Sequence, residues 1–281
     1  MSKSRLIDIL REAVAAQCEG TVGAVLSGGL DSSTVVALAP RPLETFTGYY
    51  DAIGYDERQY ARLAARGTHH EILITPQDFV DNFDAMNAVL TGVARRQGPG
   101  AFGQYMVAKY VANHVSIVVS GEGSDELFGG YARTLLAAGE AMPPGYENYR
   151  PPVDYPVRDL AAALQYDLDR LPDLLAVDVQ MCGAFGIESR SPFTDQSVVD
   201  YALALPATER VGKRHLRAAV RGIVPDAIID RREKMGFPIP LVAWAQTEPV
   251  RTFVMDRAGY LPDPAKPFAR TWWYDLLSTD R

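Results

Sequence analysis

An apolar run from Val22 to Leu26 feeds directly into Ser27-Gly28-Gly29-Leu30-Asp31-Ser32-Ser33, and Thr34 to Leu38 continue as a helix-forming stretch. Few folds tolerate that order. The strand must end in a turn that the glycines can make with positive φ, and a helix must start at once. Such a turn brings backbone N–H groups and the positive end of a helix dipole to one point, which is an anion site. Ser27, Ser32 and Ser33 add hydroxyl donors, and Asp31 adds a carboxylate of the kind that holds Mg2+ against a polyphosphate. A plain connector needs neither three hydroxyls nor an acid. No Gly-x-x-x-x-Gly-Lys-Ser/Thr segment occurs, so the usual signal for γ-phosphate chemistry is missing.

The pattern recurs. Val115 to Val119 reads as a buried parallel strand that runs into Ser120-Gly121-Glu122-Gly123-Ser124-Asp125-Glu126-Leu127-Phe128-Gly129-Gly130-Tyr131. Ligands in open parallel sheets bind beyond the carboxyl ends of the strands, so both loops are expected to face one nucleotide. Further strands are expected near Leu43–Gly48 and Glu71–Ile74. Helices are expected near Leu6–Val14, Ser32–Leu38, Glu57–Arg66, Asp78–Leu90 and Phe102–Asn113. Alternation of this kind predicts an α/β fold, an open parallel sheet of about five strands with helices on both faces, followed by an all-helical C-terminal part. The division expected is a nucleotide-binding region over 1–140, a Pro-rich linker or lid over 141–156, and a helical region over 157–281 that completes the site.

The first loop resembles the Ser-Gly-Gly-x-Asp-Ser signature of ATP pyrophosphatases, and the second resembles the corresponding loop of asparagine synthetases and of relatives that close β-lactams and lasso peptides. Gly186-Ile187-Glu188-Ser189-Arg190-Ser191-Pro192-Phe193-Thr194-Asp195 and Arg232-Glu233-Lys234-Met235-Gly236-Phe237-Pro238-Ile239-Pro240 are similar to two further segments of that family. So are Lys213-Arg214-His215-Leu216-Arg217 and Asp56-Glu57-Arg58-Gln59-Tyr60-Ala61, and the resemblance spans roughly residues 20 to 245. It implies an adenine nucleotide alpha hydrolase-like fold and a ligase that cleaves ATP between the α- and β-phosphates, adenylates a carboxylate, and passes it to ammonia or an amine.

By that resemblance, Leu26, Ser27, Gly28, Gly29, Asp31, Ser32, Ser33, Gly48, Gly121, Glu122, Lys213 and Lys234 bind ATP. Asp31 and Asp125 share Mg2+. Glu188 is the acid beside the reacting carboxylate, and Lys234 neutralises the separating phosphates. Adenylation builds negative charge that cations stabilise, and amine attack requires a proton acceptor. Glu126 reads equally as a helix-start acid, and Asp56 as an N-cap.

Departures bear on the acceptor. Asparagine synthetases of the usual kind start with a glutaminase domain, whereas this chain reaches the ATP loop by residue 27. The nitrogen is then expected from free ammonia, an amine substrate, or a separate glutaminase subunit. Gly92 to Gly100 carries Arg95 and Arg96 where the family has a different polar stretch, and Asp178 lacks the arginine that often follows it. Asparagine formation is the leading reaction, and amide formation on a larger substrate is the rival within the same chemistry. Outside it stand an ammonia-dependent NAD synthetase, a tRNA-modifying relative, and a non-catalytic ATP-binding subunit.

The net charge of −7 argues against nucleic acid as a general electrostatic partner. Two cysteines are too few for a disulfide scaffold, and no apolar stretch reaches membrane-spanning length, so a cytoplasmic location is expected, with a homo-oligomer left open. Cys182 reads as a small core residue, Trp272 and Trp273 as packing for the last helix, and the four histidines show no metal-ligand spacing.

Overall fold

The computed structural model describes residues 2–52, 54–92, 94, 98–144, 146, 149–232, 239–263 and 270–278. Its centre is a parallel sheet of five strands in the order β3-β2-β1-β4-β5, with β1 at Val22–Val25, β2 at Glu44–Tyr49, β3 at His69–Leu73, β4 at Ile117–Val119 and β5 at Glu188–Arg190. The fifth strand corrects the expectation of an all-helical C-terminal part. Three residues with alternating polar side chains carry no strand-like apolar run, and it is pairing with β4 that makes Glu188–Arg190 a strand.

Helices α1 (Lys3–Gln17), α2 (Leu30–Leu38) and α3 (Arg58–Ala64) pack on one face, and α4 (Pro76–Val89) and α5 (Gly100–Val111) on the other. The first turn of α4 is locked by Thr75 and Asp78, each bonding the other's backbone in a capping box. Beyond β4 come α6 (Ser124–Leu127), α7 (Ala132–Ala137), α8 (Leu160–Leu168) and α9 (Leu171–Gly183), and after β5 come α10 (Gln196–Leu203), α11 (Ala207–Arg210), α12 (Arg214–Ala219) and α13 (Asp226–Ile229). The chain continues through α14 (Leu241–Trp244), α15 (Val250–Ala258) and α16 (Arg270–Ser278).

Strand alternation sets the two cores. On β1, Val22 and Ala24 face the core holding α1, α2 and α10, while Val25 packs toward α5; on β4, Val119 and Val118 divide the same way. Trp272 and Trp273 are buried in the core with Phe83 and Phe79, which bears out their packing role. Both cores draw on residues from before 140 and after 157. The described residues of 142–156 form no helix or strand, and Tyr155 anchors that segment through its hydroxyl, which donates to Asp167 at 3.2 Å.

This topology positions the site. Through α2 and α3 the chain steps outward from β1 to β3; through α4 and α5 it returns across the other face and enters β4 on the far side of β1. The connections leaving β1 and β4 therefore diverge, and a crevice opens at their carboxyl ends.

Candidate active site

The loop after β1 is drawn tight by its own serines. Ser27 N donates to Ser32 Oγ at 3.2 Å, the two hydroxyls lie 3.1 Å apart, and Gly29 N donates to Ser27 Oγ at 3.4 Å. Gly28 has φ +71, and a Cβ there would meet Ala61 N at 2.6 Å, so only glycine fits between the loop and α3. Helix α2 begins at Leu30, earlier than the hydroxyl pattern suggests, with Gly29 as an N-cap that offers no side chain. Its first N–H groups are consequently presented to the crevice together with Asp31 and Ser32. Ser33 is buried, and its Oγ has no hydrogen-bond partner among the described residues.

The loop after β4 touches the first. A Cβ on Gly121 would fall 2.6 Å from Ser32 N and 2.7 Å from the Asp31 Cβ, so the absence of a side chain lets the two loops close on each other. Ser124 Oγ donates to Asp31 Oδ1 at 2.8 Å, joining the loops across the crevice.

Asp31 and Asp125 do meet, and the cation between them belongs to the chain. Lys213 Nζ lies 2.6 Å from Asp31 Oδ2 and 2.6 Å from Asp125 Oδ1. Lys213 and Asp31 are each only 5 % exposed. Burial works against the ammonium, but the two carboxylates outweigh it and lift Lys213 to about 12. Lys213 has a left-handed backbone, φ 59, at the start of α12, and its N–H donates to Phe128 O at 2.9 Å while Gly212 N donates to Gly129 O at 2.8 Å. Gly130 leaves room for the contact, since a Cβ there would sit 1.9 Å from Asp125 Oδ1 and 2.1 Å from Lys213 Cε. Two carboxylates against one ammonium leave a net charge of −1 at the loop ends. Hard carboxylate oxygens with residual negative charge fit Mg2+ in kind.

A cavity of about 250 Å³ opens from this triad. Ser27, Asp31, Ser32, Gly121, Glu122 and Asp125 line its polar end, and Leu26, Gly48, Phe46, Val107, Val111 and Val118 lie along the remainder. Asp178, Cys182 and Gln104 also border it, a set that the sequence alone does not pick out as one group. Asp178 accepts a hydrogen bond from Ser189 Oγ, and burial pushes its carboxyl above the usual range. Burial likewise pushes the Cys182 thiol up to about 12, in keeping with a core thiol rather than a nucleophile.

Glu188 is not brought to this cavity. It is the first residue of β5, in register with Ile117 and hence with Val22, at the amino-terminal end of the sheet. Its side chain is 60 % exposed and bonds Arg190 Nε at 2.7 Å, which holds its carboxyl below the usual range. Arg190 in turn donates to Gln17 O at the end of α1. Glu122 does line the crevice, as do Asp31, Asp125, Asp178 and Glu57, and its backbone carbonyl accepts a hydrogen bond from Ser191 Oγ. Lys234 lies outside the described residues, as do Arg95 and Arg96. Glu126 is buried beneath the loop, bonded by the Tyr131 hydroxyl; burial and then the Asp125 charge raise it to about 7. Asp56 accepts from Arg58 N at 3.0 Å at the start of α3, whose N-cap is Glu57.

Known proteins match along this whole framework. The asparagine synthase family model matches residues 5–173 and 158–271. The chain is 27 % identical over 305 residues to asparagine synthetase [glutamine-hydrolyzing] 1 of Bacillus subtilis, covering 81 % of this chain and 48 % of that protein. To the asparagine synthetase [glutamine-hydrolyzing] of Bos taurus it is 32 % identical over 210 residues, 68 % of this chain and 34 % of that one. The chain thus spans about half the length of the curated relatives it matches, or less. A solved NMN synthetase from Francisella tularensis aligns over 98 % of this chain and 93 % of its own at TM-score 0.41 and 12 % identity.

Proposed function

Because the chain belongs to the asparagine synthase family, we propose that it is an ATP-dependent, AMP-forming carbon–nitrogen ligase, which adenylates a carboxylate and transfers the acyl group to ammonia or an amine. The observation that carries this reading is the Asp31–Lys213–Asp125 triad, its first two members buried and its third half-buried, at the point where the two strand-end loops meet. Asparagine formation is the leading reaction.

Each part of the crevice has a task in that chemistry. The uncapped start of α2, with Ser27 and Ser32, binds the β- and γ-phosphates and receives them as pyrophosphate. The apolar end, with the backbone of Gly48, takes the adenine. Lys213 stays charged throughout the neutral range and holds both acids at fixed positions, 2.6 Å from its ammonium. Asp31 and Asp125 would hold Mg2+, which when bound offsets the charge that accumulates on the departing phosphates. Glu122 takes the role that the sequence suggested for Glu188: it lines the crevice beside the two loops, where a carboxylate can remove the proton from an attacking amine.

The test is a pyrophosphate-release assay with Mg-ATP over a panel of amino acids and larger carboxylates, with ammonia and glutamine as paired nitrogen sources. Carboxylate-dependent formation of AMP and pyrophosphate supports the reading. Release of ADP and phosphate, or ATP binding with no substrate-dependent pyrophosphate anywhere in the panel, overturns it.

A further inference from the structure

A second cluster lies at the opposite end of the sheet. Glu44 opens β2, His70 is the second residue of β3, and His114 follows the end of α5. Nothing in their sequence spacing joins them, but the parallel register sets His70 beside Phe46, on the same face as Glu44 two residues earlier. Glu44 Oε1 lies 2.6 Å from His70 Nε2 and 3.0 Å from His114 Nδ1, and the three ligand atoms all fall within 4.8 Å of one another. The side chains are half-buried, which leaves an approach from solvent.

The surroundings orient these rings. Phe46 stacks on His70 with centroids 5.0 Å apart and planes 12° from parallel, and Tyr110 stacks on His114 at 4.9 Å and 21°. The Tyr110 hydroxyl lies 3.3 Å from His70 Nδ1. A metal-ligating imidazole characteristically has its second nitrogen held in this way, fixing ring and tautomer.

We propose that Glu44, His70 and His114 form a binding site for a divalent transition metal of the Zn2+ type. Two imidazole nitrogens and one carboxylate oxygen are donors suited to Zn2+ or Co2+ rather than to Mg2+, which prefers all-oxygen shells. Donors bonded at roughly 2.0–2.2 Å to one tetrahedral ion lie about 3.4 Å apart, so the carboxylate draws back from His70 by about 0.8 Å to admit the metal among atoms that already converge within 4.8 Å. Water fills the fourth position. The ion ties β2, β3 and the segment after α5 together, about 13 Å along β2 from Gly48, four residues at roughly 3.3 Å each. Phe46 lies between the two sites, but none of the three ligands lines the nucleotide crevice, so the proposal stands or falls independently of the ligase reading.

Co2+ titration of the metal-free protein, followed by visible absorption, tests this. The expected result is one saturable equivalent per chain, displaced by Zn2+, with affinity reduced at least about 10-fold in Glu44→Gln and in His114→Ala. His69→Asn, which alters a neighbouring histidine outside the cluster, leaves the signal unchanged. Free Zn2+ at 100 times its Kd raises the folded-to-unfolded ratio about 100-fold in a melt. In the unmutated protein, Zn2+ shifts the ring NMR signals of two of the four histidines, His70 and His114. No saturable Co2+ signal, a signal that survives both ligand variants, or Zn2+ shifts confined to other histidines would show that the cluster is only a carboxylate bonded by two imidazoles.

Discussion

Replacing Lys213 by methionine removes one charge and almost no volume, and it strikes the point on which the site depends. The lysine is lifted from 10.5 to about 12 in the fold, worth ~2 kcal/mol in favour of its charged form. That contribution is fully present below pH 10.5 and is lost as the pH rises through about 12. Loss of the whole ammonium costs more, because both carboxylates reach to within 2.6 Å of the same atom and would be left facing each other. Breaking a buried ion group by deleting one partner costs about 3–5 kcal/mol. For 281 residues, at roughly 2.1 cal/mol/K of melting entropy per residue, Tm falls by about 5–8 °C. The loss should also depend on pH. The bare acid pair gains by taking up a proton, so the deficit of Lys213→Met narrows between pH 7 and pH 5, and Lys213→Met/Asp125→Asn recovers part of it at pH 7. Urea and thermal melts of the three proteins provide the measurement. A deficit that is constant across that range, or a double variant no more stable than the single one, would refute the electrostatic account of the triad.

Three other outcomes follow from the same geometry. Glu122→Gln lowers single-turnover pyrophosphate release about 100-fold or more, whereas Glu188→Gln stays within about 3-fold of wild type; equal losses would return the acid role to β5. Gly130→Ala forces Asp125 and Lys213 apart and costs about 1–3 kcal/mol in a urea melt, and a wild-type melt would show that the close approach is unimportant. Glu126, lifted from 4.5 to about 7, stabilises the fold fully below pH 4.5 and loses that contribution, about 3 kcal/mol, as the pH rises through 7; Glu126→Gln, which still accepts from Tyr131, should flatten this slope in urea melts from pH 5 to 8.

Much of the fold is legible where local chemistry and tertiary context agree. The run Val22 to Leu26 followed by Gly28-Gly29 announces strand, turn and helix together, and β1 and α2 form there because each step satisfies the next. The ends of elements are less legible. β3 begins at His69, two residues before the expected Glu71 and three before its first apolar position, Ile72, because the hydrogen bonds of a neighbouring strand select edge residues that hydrophobicity does not. The first turn of α2 takes in Asp31 because Gly29 can cap a helix without a side chain, and no polar signal marks that start.

The site shows the same division in sharper form. Asp31, Asp125 and the glycines are legible because each sits in a strand-end loop rich in glycine, hydroxyl and acid, a combination suited to little besides phosphate and its counter-ion. Lys213 is picked out only by resemblance, as a nucleotide ligand, and its place between the two acids is not legible, since its burial comes from a left-handed turn pinned to Phe128 and Gly129, far away in the chain. The Gly186–Asp195 segment misleads in the opposite direction. In a strand, side chains alternate, so Glu188 and Arg190 point one way and pair with each other at the sheet's amino-terminal edge, while Ser189 and Ser191 point the other way. Ser189 holds Asp178 beside the cavity, and Ser191 holds the backbone of Glu122. The ionic residues attract a catalytic reading, yet it is the two hydroxyls that link this segment to the crevice, because a parallel strand can turn only alternate residues toward it. A motif can therefore belong to an active site through its quieter residues, bracing a neighbouring loop whose carboxylate faces the chemistry.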